Sequence, residues 1–143
     1  MSIPNPVPMT ILLVEDDEVD IMNVKRAFKK NNISNPLVVA HNGIEALELL
    51  RSTETDAPKP RIVLLDLNMP KMGGIEFLKE IRQDSELAAL SVFVMTTSNE
   101  DGDKIDAFNL NVAGYILKPL SMDRFIAAVS TLKSYWTLCE YPE

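Results

Sequence analysis

Ile62-Val63-Leu64-Leu65-Asp66-Leu67-Asn68-Met69-Pro70 is the stretch that decides how this chain folds. Four apolar residues run without interruption into a carboxylate, and a Pro/Gly-rich turn (Pro70, Gly73, Gly74) follows. An apolar run of this kind reads as a strand buried on both faces, the pattern of a parallel sheet. Its last residue is then delivered to the C-terminal edge of that sheet, where open α/β sheets bind ligands. A carboxylate there needs a partner, because burying it unpaired is costly.

The same pattern extends in both directions. Short apolar runs recur at Ile11–Val14, Leu37–Ala40, Val92–Met95 and Tyr115–Leu117. Between and after them lie stretches of helical period: Ile21, Val24, Phe28; Ile44, Leu47, Leu50; Ile75, Leu78, Ile81; Ile105, Phe108; and Phe125, Val129, Leu132, Trp136. Asn42-Gly43, Ser98-Asn99-Glu100-Asp101 and Ser121 are helix-start signals for the second, fourth and fifth of these. Strict β-α alternation predicts an α/β fold of parallel strands, with right-handed crossovers and helices on both faces. The polar, proline-containing segment 52–60 is expected to be a surface excursion before the third strand.

A chain of 143 residues fits one domain, large enough to bury roughly 70% of its unfolded surface without staples. Its 46% hydrophobic and 24% charged content is that of a soluble globular protein. The single cysteine, Cys139, rules out an internal disulfide and points to a reducing cytoplasm. No apolar stretch approaches a membrane span, and residues 1–8 read as an extended tail rather than a signal peptide. A formal net charge of −7 argues against nucleic-acid binding and fits a protein that holds a cation or meets a basic surface.

The strand ends carry the chemistry: Glu15-Asp16-Asp17, Asp66, Thr96-Thr97 and Lys118-Pro119. With the doubly wound strand order 2-1-3-4-5, the first and third strands are neighbours and their C-terminal ends flank the switch point. Glu15, Asp16 and Asp66 then converge, and three carboxylates brought together repel unless a cation compensates. Hard oxygen ligands in a small open site suit Mg²⁺, which keeps several waters and recruits phosphate oxygens. Lys118 brings a positive charge to the same edge, and the Thr96 hydroxyl a hydrogen-bond donor. Together these groups form a phosphoryl-transfer site, where a protein mainly positions groups and spreads charge.

Val14-Glu15-Asp16-Asp17, Leu65-Asp66-Leu67-Asn68-Met69-Pro70, Val94-Met95-Thr96 and Tyr115-Ile116-Leu117-Lys118-Pro119 resemble the signature of response-regulator receiver domains of two-component systems. The resemblance covers about residues 9–135, leaving an aromatic tail at 136–143, and implies a flavodoxin-like (βα)5 fold. It further implies that Asp66 is the phosphoacceptor. Glu15, Asp16, Asp66 and the Asn68 backbone carbonyl would serve Mg²⁺ (or Mn²⁺). Thr96 would be the switch hydroxyl, Lys118 the site lysine and Tyr115 the aromatic switch. Glu15 replaces the family's more frequent first Asp, and Thr97 competes with Thr96 by one residue. The loop before the third strand, the Thr96-Thr97-Ser98 run and the aromatic tail are similar to stand-alone receivers paired with cyanobacterial phytochrome histidine kinases. That likeness implies a single-domain regulator with a phytochrome-type sensor histidine kinase as partner. It also implies signalling through protein contacts. A homodimer is expected through the face built by the fourth helix, fifth strand and fifth helix, together with the C-terminal tail.

Each residue also has a plainer reading. Acidic residues after the first strand favour a helix dipole, and Asp17 and Asp20 need do no more. Thr96 is a β-branched strand end and Tyr115 a packing residue; Lys118 alone would be a solvated lysine. The turn through Gly74 is first a turn, with glycine supplying φ > 0. His41 reads as structural or surface. An Mg²⁺-dependent phosphohydrolase with an aspartyl-phosphate intermediate is the alternative function, but it needs an acid two residues after the nucleophile, where Asn68 stands. A constitutive interaction module is the other, and the joint presence of Glu15, Asp16, Asp66, Thr96 and Lys118 argues against it.

Overall fold

The computed structural model describes residues 9–54, 59–67, 72–96, 110–117 and 121–138. In chain order they form β1 (Ile11–Val14), α1 (Glu18–Lys30), β2 (Leu37–Ala40), α2 (Gly43–Leu50), β3 (Ile62–Asp66), α3 (Gly74–Gln83), β4 (Ser91–Thr96), β5 (Gly114–Leu117) and a C-terminal helix (Met122–Leu138). The expected fourth helical stretch, including Ile105 and Phe108, lies outside the described residues, as do the tail residues 1–8 and 139–143.

The five strands make one sheet of order β2-β1-β3-β4-β5, every pair parallel. β1 sits between β2 and β3, with Ile11 opposite both Leu37 and Ile62. Alternate residues feed opposite faces. Leu12, Val14, Val63, Leu65, Val92 and Val94 pack with Phe77, Leu78 and Ile81 of α3 and Ala46 and Leu47 of α2. Ile11, Leu13, Ile62, Leu64, Phe93 and Met95 pack with α1 and the C-terminal helix. Register is therefore strongly specified, since a slip of one residue would exchange the two cores. β2 is an edge strand, and its first three residues are only partly buried.

The helices begin where capping chemistry allows. The Asp17 carboxylate accepts the Val19 amide at 2.8 Å and the Asp20 amide at 3.2 Å, opening α1. The Asn42 side chain accepts the Glu45 amide at 2.8 Å, and Ser121 Oγ accepts the Arg124 amide at 3.2 Å. At the far end of α3, Arg82 donates to four backbone carbonyls: Leu110 (2.6 Å), Ala88 (2.9 Å), Leu90 (2.8 Å) and Asn111 (2.5 Å). One guanidinium thus ties the end of α3 to the approaches of β4 and β5, and its burial pushes its pKa below the usual range. Among the described residues no helix is long and apolar enough to cross a membrane.

Candidate functional site

β1 and β3 end side by side, Val14 opposite Leu65, so the residues that follow meet at the C-terminal edge of the sheet. Glu15 continues β1: its amide donates to the Ala40 carbonyl at 2.9 Å, which keeps the backbone in the sheet one residue beyond the strand. Its side chain is 1% exposed, and Oε1 accepts the Asp17 amide at 3.2 Å. Asp66 is the last residue of β3 and is 5% exposed, whereas Asp16 stands in solvent. Carboxylate oxygens of Glu15, Asp16 and Asp66 all lie within 4.8 Å of one another.

Two buried carboxylates and one exposed, gathered this closely, repel more strongly than water alone would screen. Oxygen-only donors open to solvent on one side are the donor set of a hard divalent cation that retains waters, so the residues fit Mg²⁺ or Mn²⁺. The site's floor is held from beneath. The Leu67 amide donates to the Met95 carbonyl at 3.1 Å, pinning the residue after Asp66 to β4, and the Gly74 amide donates to the Leu67 carbonyl at 3.3 Å.

A model of the response regulator receiver domain matches residues 11–130 of this sequence. The chain belongs to the response-regulator receiver family. Response regulator Rcp1 of Synechocystis sp. is 35% identical over 134 residues, 92% of this chain and 90% of that protein. The probable methanogenesis regulatory protein FilR2 of Methanothrix harundinacea is 38% identical over 130 residues, 90% of this chain and 84% of that one. Among solved structures, the phosphorylated cyanobacterial phytochrome response regulator RcpA superposes with a TM-score of 0.82 at 31% identity, covering 95% of this chain and 99% of that one. The Mn²⁺-bound form of Rcp1 gives 0.81 at 33% identity, covering 95% of this chain and all of that one.

In this receiver Thr96 is the last residue of β4 and only 3% exposed, one position beyond Met95, which faces Asp66 across the ladder. Both β3 and β4 extend one residue past the apolar runs that predicted them, so Asp66 and Thr96 are strand residues rather than loop residues. Tyr115 lies on the edge strand β5 opposite Val94 and is 48% exposed. Lys118 follows Leu117, which pairs with Thr96, and lies outside the described residues, as do Asn68, Pro70 and Thr97. His41 is on the surface, with Nδ1 3.2 Å from Glu45 and Nε2 3.6 Å from Glu18.

The turn before α3 departs from the expectation that glycine supplies its positive φ. Among the described residues of the turn the left-handed one is Met72, at φ 60°, while Gly73 has φ −67°. Gly74 is required by space instead: a Cβ there would stand 2.7 Å from Leu67 Cα and 3.0 Å from the Asp66 carbonyl oxygen. Gly43 plays the same part on α2, where a Cβ would meet the Met72 carbonyl at 2.9 Å and the Gly43 amide donates to that carbonyl at 3.3 Å. These supports had no signal in the sequence beyond glycine at a helix start.

Proposed function

We propose that Asp66 accepts a phosphoryl group from the phosphohistidine of a sensor histidine kinase. A carboxylate oxygen of Asp66 bonds to phosphorus as the P–N bond to the donor imidazole breaks, and the departing nitrogen takes a proton. The observation that carries this reading is the convergence of Glu15, Asp16 and Asp66 at the end of β3 in a receiver fold. Glu15, Asp16, Asp66 and the Asn68 carbonyl would hold Mg²⁺ or Mn²⁺, which when bound neutralises charge on the phosphoryl oxygens. Glu15, its carboxylate accepting the Asp17 amide, sets the charge of the pocket, and Asp16 stands at its open side.

The new dianion on Asp66 recruits the Thr96 hydroxyl as a donor and Lys118 as a countercharge. Tyr115, half exposed on the edge strand, moves inward behind Thr96, and the surface around β5 changes. Only contacts that differ between the two states can drive this shift. Water then attacks phosphorus, releases phosphate and restores Asp66, so the receiver is reset rather than consumed. The likeness to Rcp1 and RcpA supports a phytochrome-type kinase as donor. The exposed Tyr115 on an edge strand supports a homodimer through that face, which includes the C-terminal helix and tail.

Incubation with acetyl phosphate and Mg²⁺ labels Asp66 in this reading; an Asp66→Asn variant that labels as well as the parent refutes it. Autophosphorylated phytochrome-type kinase should transfer faster than a kinase of another sensor class, and equal rates would remove that pairing. Light scattering of Tyr115→Asp, and of a chain shortened after Trp136, tests the dimer face.

A further inference from the structure

α1 is charged unevenly along its length. Its first turn holds Glu18 and Asp20, next to Asp16 and Asp17, while Lys25, Arg26, Lys29 and Lys30 crowd its second half. Four of the 14 basic residues of a chain with net charge −7 therefore fall within six positions. All four line one groove of about 650 Å³, and no carboxylate is among its described lining residues. Among the described residues none of the four makes an ion pair or side-chain hydrogen bond.

That arrangement works against the helix. Lys25 with Lys29, and Arg26 with Lys30, are like-charge pairs at i,i+4, which destabilise a helix rather than support it. Lys29 and Lys30 are compensated by the C-terminal end of the helix dipole, but Lys25 and Arg26 lie before the last turn. Lys133 of the C-terminal helix adds a fifth cation close by, donating to the Asn31 carbonyl at 2.8 Å. Among the described residues no carboxylate meets these cations, and four exposed positive charges on one groove are complementary to an anionic partner.

We infer that this groove docks an acidic segment of a partner protein. A segment is favoured over a polyanion such as DNA or an anionic membrane because the cationic strip is short, about 8 Å along the helix from Lys25 to Lys30. The rest of the molecule is net negative and repels an extended anionic surface. The strip begins about 10 Å along the axis from Glu18, on the side away from the Asp66 site. A docked segment thus leaves the phosphoacceptor open, and the surface acts independently of phosphoryl transfer.

The probe is a labelled octaglutamate peptide titrated onto the full chain at 50 and 200 mM salt, with phosphatidylserine vesicles and a single-stranded oligonucleotide in parallel. The expected result is salt-sensitive peptide binding that perturbs the backbone amide resonances of residues 25–30. Lys25→Gln/Arg26→Gln/Lys29→Gln/Lys30→Gln should weaken it at least tenfold, and Lys59→Gln/Arg61→Gln should leave it unchanged. Labelling of Asp66 by acetyl phosphate should be the same in all these variants, which separates failure of the groove from failure of the acceptor assignment. Peptide binding that survives the fourfold neutralisation, or maps elsewhere, overturns the inference. So does tighter binding of vesicles or oligonucleotide than of peptide.

Discussion

Replacing Gly74 by alanine should damage phosphorylation more than it damages folding. A Cβ at that position meets Leu67 Cδ2 at 2.6 Å, Leu67 Cα at 2.7 Å and the Asp66 carbonyl oxygen at 3.0 Å. The leucine methyl can rotate aside, but the other two atoms are backbone at the end of β3. Restoring ordinary contact at 3.4 Å from 2.7 Å needs a displacement of about 0.7 Å, and the backbone that must yield carries Asp66. Overpacking of this kind costs about 1–3 kcal/mol. Reduced freedom of the unfolded chain returns about 0.4–1 kcal/mol, so the net loss should be about 1–2 kcal/mol. Against a domain stability of about 5–15 kcal/mol the variant stays folded. A misplacement of about 1 Å can cost about a hundredfold in rate, so a fall of at least tenfold in acetyl phosphate labelling is expected. Urea unfolding and the initial rate of Asp66 labelling, measured on the same sample, check both halves. A Gly74→Ala protein that labels within twofold of the parent would show that Gly74 does not set the position of Asp66.

Saturating Mg²⁺ at ten times its dissociation constant should stabilise the receiver by about 1.4 kcal/mol, and Asp16→Asn or Asp66→Asn should shrink that gain in thermal melts. An undiminished gain in both would place the cation elsewhere. Arg82→Ala should cost about 2–4 kcal/mol, because its bonds to the Leu90 and Leu110 carbonyls are partly buried and charge-assisted, whereas the Ala88 and Asn111 bonds are exposed. A denaturation midpoint that barely moves would mean water replaces the guanidinium at all four carbonyls. The Asp84 carboxyl is held below its usual range, first by the Glu86 amide at 2.9 Å and then by Arg51. Its folded value is depressed, so its stabilisation is present above about pH 4 and lost as pH falls through the lower folded value. Asp84→Asn should accordingly be less stable than the parent at neutral pH and converge with it in acid; a difference constant from pH 7 to pH 2 would contradict this. Phe77→Ala, at a fully buried position on α3, should cost about 3–5 kcal/mol, and a loss under 1 kcal/mol would mean the core collapses around the gap.

Much of this architecture is legible in the sequence. Alternating apolar runs and helical stretches reported the strands and helices, because burial is set by which side chains avoid water and that pattern is local. The uninterrupted Ile62–Leu65 run announced a strand covered on both faces, and both cores now include its residues. The convergence of the acidic run after β1 with Asp66 after the third run is legible too, because adjacent parallel strands deliver their C-terminal residues to one edge, and the three carboxylates do meet there. The turn before α3 is less legible. Two adjacent glycines suggested a positive φ, but the left-handed conformation falls on Met72 and the second glycine exists to let α3 approach β3.

The sequence by itself determined the order of elements, the faces they bury and the chemical kind of the site, because hydrophobic periodicity and donor type are properties of neighbouring residues. Only the tertiary structure decided how close Glu15, Asp16 and Asp66 come, and that Arg82 gathers carbonyls from Ala88 to Asn111. It also decided that the four cations of α1 share a groove with no counter-ion among the described residues. Those outcomes depend on excluded volume and on hydrogen bonds between segments far apart in the chain. Which segments become neighbours is settled by the packed sheet as a whole.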